Sequence, residues 1–298
     1  MTNRWWIYQK ERFPIVAHGP MVVVFCLSIM LFSSLQANEF PDWTRVAGAV
    51  VSTLILFFQL RVADEYKDFA DDSKYRPHRA VPRGLVSLRE LGRLAWSGAA
   101  VQFVVAVQID VGLVRVLMLV WLYMGLMTKE FFAARWLKKT PSAYLASHML
   151  VMPLIAYYVS AFDWLCMCRE MPAGLGWLLL FSFGCGLVLE VGRKIKSPDA
   201  ERTGVETYSS AWGPGVALLV WGAAGAIAVG AFLQATAYLE VTVSVISFAT
   251  GLLAFSVIVA IFFLAKSSLR AARFIEPGSG LFAMLLYIGL GPLHVFVG

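Results

Sequence analysis

The chain has 298 residues, 59% of them hydrophobic and only 15% charged, with a mean hydropathy of +0.70 and a formal net charge of +6. A soluble domain carries about 25% charged residues, so this balance excludes an ordinary soluble fold and a disordered chain alike. It suits a polytopic membrane protein, for which an all-α fold of spanning helices is expected.

The N-terminal segment "MTNRWWIYQKERF" is basic and aromatic. It has no A-x-A-like cleavage site ahead of the first apolar run, so no removable signal peptide is expected. A spanning helix needs about 20 mainly apolar residues. Nine candidates follow in chain order, at roughly 14–36, 44–63, 94–109, 112–128, 144–162, 173–191, 214–233, 241–265 and 279–297. Only "IDVG" separates the third from the fourth. Lys and Arg favour cytoplasmic loops. With the N-terminus inside, 22 of the 25 basic residues fall in inner segments, and only Arg45, Arg115 and Arg169 do not. The chain is therefore expected to form one transmembrane domain over 1–298, N-in and C-out. The same bias explains the net charge, which gives no argument for nucleic acid. Cys26 and Cys185 lie in apolar runs, and Cys166 and Cys168 lack the further ligands of a zinc site, so packing is expected for all four.

The second span ends in an unusual stretch, "LRVADEYKDFADD" at 60–72. Continuing the helix at 100° per residue places Asp64, Glu65, Asp68, Asp71 and Asp72 on one arc of about 120°. Like charges at i,i+4 destabilise a helix, so the crowding makes sense if a cation neutralises it. Carboxylates without nearby His or Cys favour a hard ion such as magnesium. A solvated acidic helix end paired with Arg61 and Lys67 is the plainer alternative. The segment that follows, "SKYRPHRAVPRGLVSLREL", adds Arg76, Arg79 and Arg83 in a loop able to fold back. Carboxylates for magnesium beside arginines for an anion suit a diphosphate. A second cluster, "EVGRKIKSPDAERTGVETYSSAWG", follows the sixth span and holds Glu190, Asp199, Glu201 and Glu206 with Arg193, Lys194, Lys196 and Arg202. Glu190 and Lys194 are spaced to pair. Facing one another, the two clusters would hold two magnesium ions around one diphosphate.

At these residues the sequence resembles the UbiA superfamily of intramembrane prenyltransferases, which has nine transmembrane helices and two aspartate-rich cytoplasmic motifs. Residues 64–72, "DEYKDFADD", are similar to the first motif, N-D-x-x-D-x-x-x-D, and "RAVPRG" (79–84) to the R-P-L-x-x-G element after it. "RKIKSPDAERTGVETY" resembles the second motif but has Ser197 where an Asp is expected. "RFP" (12–14) and "LKKTP" (137–141) are similar to the start of the family's first helix and to its basic element before helix five.

The resemblance implies magnesium held by Glu65, Asp68 and Asp72, with Asp64 beside them, and by Asp199 and Glu201 opposite; Asp68 and Asp72 carry the chemistry. It implies oxygen clamps at Arg79, Lys138, Lys139, Arg193, Lys194 and Arg202. The substrate would be a prenyl diphosphate, and the prenyl group would pass to a lipophilic acceptor within the membrane lipid. Phe57, Phe58, Trp121, Tyr123, Tyr157 and Tyr158 are candidates to line the pocket, although membrane aromatics usually pack against neighbours. His148, one or two turns into the fifth span, is a candidate acceptor-site group, with interhelical hydrogen bonding as its plainer role; His18 invites the same reading. The altered second motif keeps a terpene cyclase, which needs no acceptor, as the rival activity. A cation-coupled transporter ranks below both, because the acids sit at the membrane edge and not near the midplane.

Overall fold

The computed structural model describes residues 3–201, 204–239, 247–248, 250–252 and 269–297. Among these, all regular structure is helical. The short helix α1 (Arg4–Arg12) starts where the Asn3 side chain accepts a hydrogen bond from the Trp5 amide. It buries Tyr8 and exposes Trp6, an arrangement suited to a membrane interface. The proline at position 14 then opens α2 (Ile15–Leu35).

Asp42 caps α3 (Trp43–Lys67) by accepting from the Arg45 amide at 3.0 Å. A break at Asp68 separates α3 from α4 (Phe69–Tyr75), so the single helix expected through residue 72 is in fact two. The next helix, α5 (Leu88–Ile109), begins six residues before the expected 94. Its start is fixed by a capping box in which Ser87 and Glu90 satisfy each other's backbone amides. After α6 (Gly112–Thr128) and the short α7 (Ala134–Lys139), the expected fifth span appears as α8 (Pro141–Met149) and α9 (Val151–Trp164), divided at Leu150. Then come α10 (Leu175–Arg193), the one-turn α11 (Tyr208–Trp212) and α12 (Pro214–Thr236). The last two are α13 (Leu269–Leu290), which begins ten residues before the expected 279, and α14 (Pro292–Val297).

Among the described residues, five stretches are long and apolar enough to cross a membrane: α2, α3, α8 with α9, α10 and α12. The expected span 241–265 lies almost wholly outside the described residues, which therefore do not carry the full count of nine read from the sequence.

At the centre of the bundle, α10 packs on α9, α12 and α13. Small residues permit this closeness, as is usual between membrane helices. A Cβ on Gly184 would come 2.8 Å from the backbone nitrogen of Ala228 on α12. A polar network ties the other half together. Gln102 on α5 donates to the Ser52 carbonyl at 2.9 Å and accepts from Gln59 and from the Trp121 indole. Ser52 also meets the Tyr158 hydroxyl at 2.9 Å, so α3, α5, α6 and α9 share one set of buried hydrogen bonds. At the end away from Lys67, Asp163 accepts from Ser33 at 2.6 Å, and Arg169 bridges Asp163 and Glu39. All four cysteines are free. Cys26 and Cys185 are packed in the core as expected, but Cys168 is exposed, at a backbone position with φ +51°.

Replacing Gly184 by Val forces the α10–α12 backbones apart. It should lower stability by about 1–3 kcal/mol, read as an earlier thermal transition of the detergent-solubilised protein. An unchanged transition would contradict this packing.

Candidate functional site

Although α3 ends at Lys67, its hydrogen-bond ladder does not. The Asp68 amide donates to the Asp64 carbonyl, that of Asp72 to Asp68, and that of Arg76 to Asp72, each at 2.8 Å. Asp64, Asp68 and Asp72 therefore keep an i,i+4 series across the break. Their environments then diverge. Glu65 is buried and accepts from Arg12 Nε at 2.5 Å, so the N-terminal helix reaches into the acidic cluster. Asp72, also buried, takes Arg79 at 2.7 Å, and Arg76 Nε lies 2.8 Å away as an ion pair without hydrogen-bond alignment. Asp71 is exposed.

Asp64 and Asp68 remain. Asp64 is half-exposed, with only a loose contact to Arg61 at 3.4 Å. No ion pair or hydrogen bond engages the Asp68 carboxylate among the described residues. Burial and the negative charges of Asp64 and Asp72 push its carboxyl above the usual range, against the pull of Lys67 and Arg76. Burial likewise pulls Arg79 below its ordinary value, against the Asp72 contact.

Lys67 points elsewhere than the sequence suggests. Its ammonium meets Glu130 at 2.7 Å and the Tyr144 hydroxyl at 2.6 Å, with His148 Nε2 at 3.5 Å. The His148 ring stacks on Tyr144 at 3.8 Å, and its Nδ1 lies 2.9 Å from the Tyr144 carbonyl. That pairing places the proton on Nδ1 and turns the Nε2 lone pair toward Lys67. His148 is thus part of a socket for Lys67. Glu130 reaches the socket from a left-handed turn in which Glu130, Phe131 and Phe132 all have positive φ, at 48°, 52° and 58°. Such backbone costs roughly 1–2 kcal/mol per residue, a strain held by the surrounding contacts.

The second cluster meets the first at Tyr144. Lys194 Nζ, at the end of α10, lies 5.6 Å from the Tyr144 ring, and Lys67 Nζ lies 4.5 Å from the same ring. Asp64 is within electrostatic range of both His148 and Arg193. Gly204, at φ +76°, has Tyr75 of α4 packed where a side chain would stand. Glu190 is taken up by Arg193 at 2.6 Å and Lys194 at 2.9 Å. Glu201 accepts from the Thr207 and Ser209 hydroxyls at 2.7 and 2.8 Å. Asp199 is exposed on a one-turn 3₁₀ helix. Ser197 is buried, with an unpartnered hydroxyl. Lys138 and Lys139 are exposed at the end of α7, and Arg202 lies outside the described residues.

Tyr158 is fully buried on Ser52, and Tyr157 tilts against Trp164 at 6.1 Å. His18 stacks on Phe13 and contacts the Pro14 carbonyl. A separate apolar groove of about 420 Å³ runs between α8, α10 and α12, walled by Leu145, Phe183, Leu187, Trp212 and Val216. Trp212 stacks on Tyr208, whose ring lies 5.3 Å from Lys194 Nζ, so the groove adjoins the charged end.

Helix order, a shared motif end and two converging charged clusters can be set against known proteins. The sequence matches no family model and no curated protein. Solved structures do match. An apo UbiA homologue from Aeropyrum pernix K1 superposes with a TM-score of 0.67 at 16% identity, over 90% of this chain and 96% of that one. The fold is the UbiA fold. A digeranylgeranylglyceryl phosphate synthase gives 0.64 at 13% identity, over 96% and 97% of the chains. A UbiA homologue from Archaeoglobus fulgidus, bound to GPP and Mg2+, gives 0.60 at 11% identity, over 95% and 99%.

Glu130 and Tyr144, which hold Lys67 at this end, are not marked out by the sequence pattern. "TKEFF" offered an acid at a helix end as its only signal, and nothing in it indicated a left-handed turn. Removing Glu130 leaves Lys67 largely buried without its anion. Glu130→Ala should destabilise the protein by on the order of 3 kcal/mol, and Lys67→Met in the same background should restore part of that loss. Melting curves of the three proteins check this; wild-type stability in Glu130→Ala would refute the socket.

Proposed function

We propose that this protein is a magnesium-dependent prenyltransferase, a single transmembrane domain over 1–298 that moves a prenyl group from a prenyl diphosphate to a lipophilic acceptor. The observation that carries the reading is the pair Asp64 and Asp68. They are under-neutralised carboxylates one helical turn apart, amid Arg76, Arg79, Lys67, Lys194 and Arg193. Magnesium is usually bound through one or two carboxylates plus substrate phosphates, and this donor set fits that habit. The Mg2+ with GPP or DMAPP in the two Archaeoglobus fulgidus structures supports the same assignment.

When bound, the ion would supply Lewis-acid stabilisation of the leaving diphosphate. Asp64 and Asp68 would hold it, while Asp72 and Glu65 keep Arg79, Arg76 and Arg12 in position at the same end. The C1–O bond of the prenyl diphosphate breaks and the electron pair leaves with the diphosphate. The basic groups receive that charge through charge-assisted hydrogen bonds. The allylic cation is then captured by the acceptor, which loses a proton. The apolar groove beside Trp212 suits the prenyl tail by its lining, and apolar surroundings would shield the cation from water. By the positive-inside bias the site faces the cytoplasm. The degenerate second motif supports the cyclase as the rival reading, in which the cation is captured within its own chain.

Asp68→Asn should reduce magnesium-dependent diphosphate release by at least about a thousandfold while the protein stays folded. An active Asp68→Asn protein with unchanged magnesium dependence would defeat the assignment. In the wild type, release that requires an added lipophilic acceptor supports transfer. Release with a cyclic product and no acceptor would establish the cyclase instead. Reporter fusions in the 76–84 loop should report the cytoplasmic side, and a periplasmic or external signal would reverse the proposed orientation.

A further inference from the structure

We propose that the second half of this site takes up the diphosphate charge with fixed cations, Lys194 and Arg193, in place of a second metal ion. This rests on the reading of Asp64 and Asp68 as the ion-binding half. The sequence pattern directs attention to Asp199 and Glu201 for a second ion, but neither is arranged to hold one. Glu201 has both oxygens committed, accepting from Thr207 at 2.7 and 2.9 Å and from Ser209 at 2.8 Å. Asp199 stands exposed on a one-turn 3₁₀ helix. Glu190 lies between two cations and orients them. Where the resemblance calls for an acid, the chain has Ser197, whose buried hydroxyl is neutral and cannot balance a dication.

Positive charge, by contrast, is already built in. Lys67 from α3 and Lys194 from α10 meet at the Tyr144 ring, 4.5 and 5.6 Å from its centroid. Tyr144 is fixed from behind by the His148 stack, and its hydroxyl holds Lys67 at 2.6 Å. Tyr208 flanks Lys194 at 5.3 Å. Each ammonium carries three donors and no acceptor, and a lysine serves phosphate as a compact point charge. The Glu190 carboxylate holds Lys194 in register without covering every donor, whereas the donors of Lys67 are taken up in its socket, so Lys67 adds only its charge. The two halves are therefore chemically unlike. One offers carboxylates to an ion, and the other offers ammonium and guanidinium groups directly to phosphate oxygens.

The test uses the purified full chain with Mn2+ and inorganic pyrophosphate as probes. Titration followed by electron paramagnetic resonance should find one Mn2+ per chain in the presence of saturating pyrophosphate; two would overturn the proposal. Lys194→Gln should weaken pyrophosphate binding, measured by calorimetry, by about tenfold or more. Its Mn2+ affinity without pyrophosphate should be unchanged. Asp199→Asn should leave both affinities at the wild-type value. Unchanged pyrophosphate affinity in Lys194→Gln, or a lost second ion in Asp199→Asn, would overturn the proposal. The ion count is made on the wild type, so it stands even if a variant folds poorly. Absence of any Mn2+-dependent pyrophosphate binding would defeat the site reading itself, whereas two bound ions would defeat the fixed-cation half alone.

Discussion

Negative charge gathered at the end of a membrane helix must be balanced by groups that the fold brings to it, and the motif end of this protein is organised by that requirement. Five acids in nine residues would repel one another on a bare helix. Arg12 arrives from α1 to meet Glu65, and Arg76 and Arg79 fold back onto Asp72. The N-terminal interfacial helix and the loop after α4 are thereby fastened to α3. Along the Asp64–Asp68–Asp72 row, Asp64 has only a loose contact with Arg61 and Asp68 has no counter-ion among the described residues.

The same need shapes the opposite side of the site. Lys67 lies inside the acidic motif yet turns away from it, to Glu130, Tyr144 and His148. That choice explains the left-handed turn at Glu130–Phe132, because the turn carries the counter-ion to Lys67. It also explains why His148 is buried, stacked and hydrogen-bonded on both ring nitrogens. Tyr144 is where the two halves meet. One ring receives a lysine from each cluster, and Tyr75 closes the contact further out by packing on Gly204.

Most of the helix order was legible because apolar runs of span length leave few alternatives. Charge placement along the sequence puts both clusters at one end. The misreadings share a cause. The early start of α5 follows from a local capping box, Ser87 with Glu90, visible in "SLRE" but ignored by a search for apolar residues. The break at Asp68 and the split at Leu150 leave no mark in hydropathy. Within the site, spacing alone could group the acids but could not say which would be taken by arginines. That depends on Arg12, fifty-three positions from Glu65. Glu201 likewise looks like a ligand by position, and only the folded loop brings Thr207 and Ser209 to its oxygens.

The account's central claim is that Asp64 and Asp68 are where a divalent ion meets the diphosphate. It is tested most directly by the anomalous scattering of Mn2+ in crystals of the protein with a non-hydrolysable prenyl diphosphate analogue. The account predicts one strong peak within coordinating distance of the Asp64 and Asp68 carboxylates, with the diphosphate between it and Lys194. A peak at Asp199 and Glu201 with none beside Asp68 would contradict it.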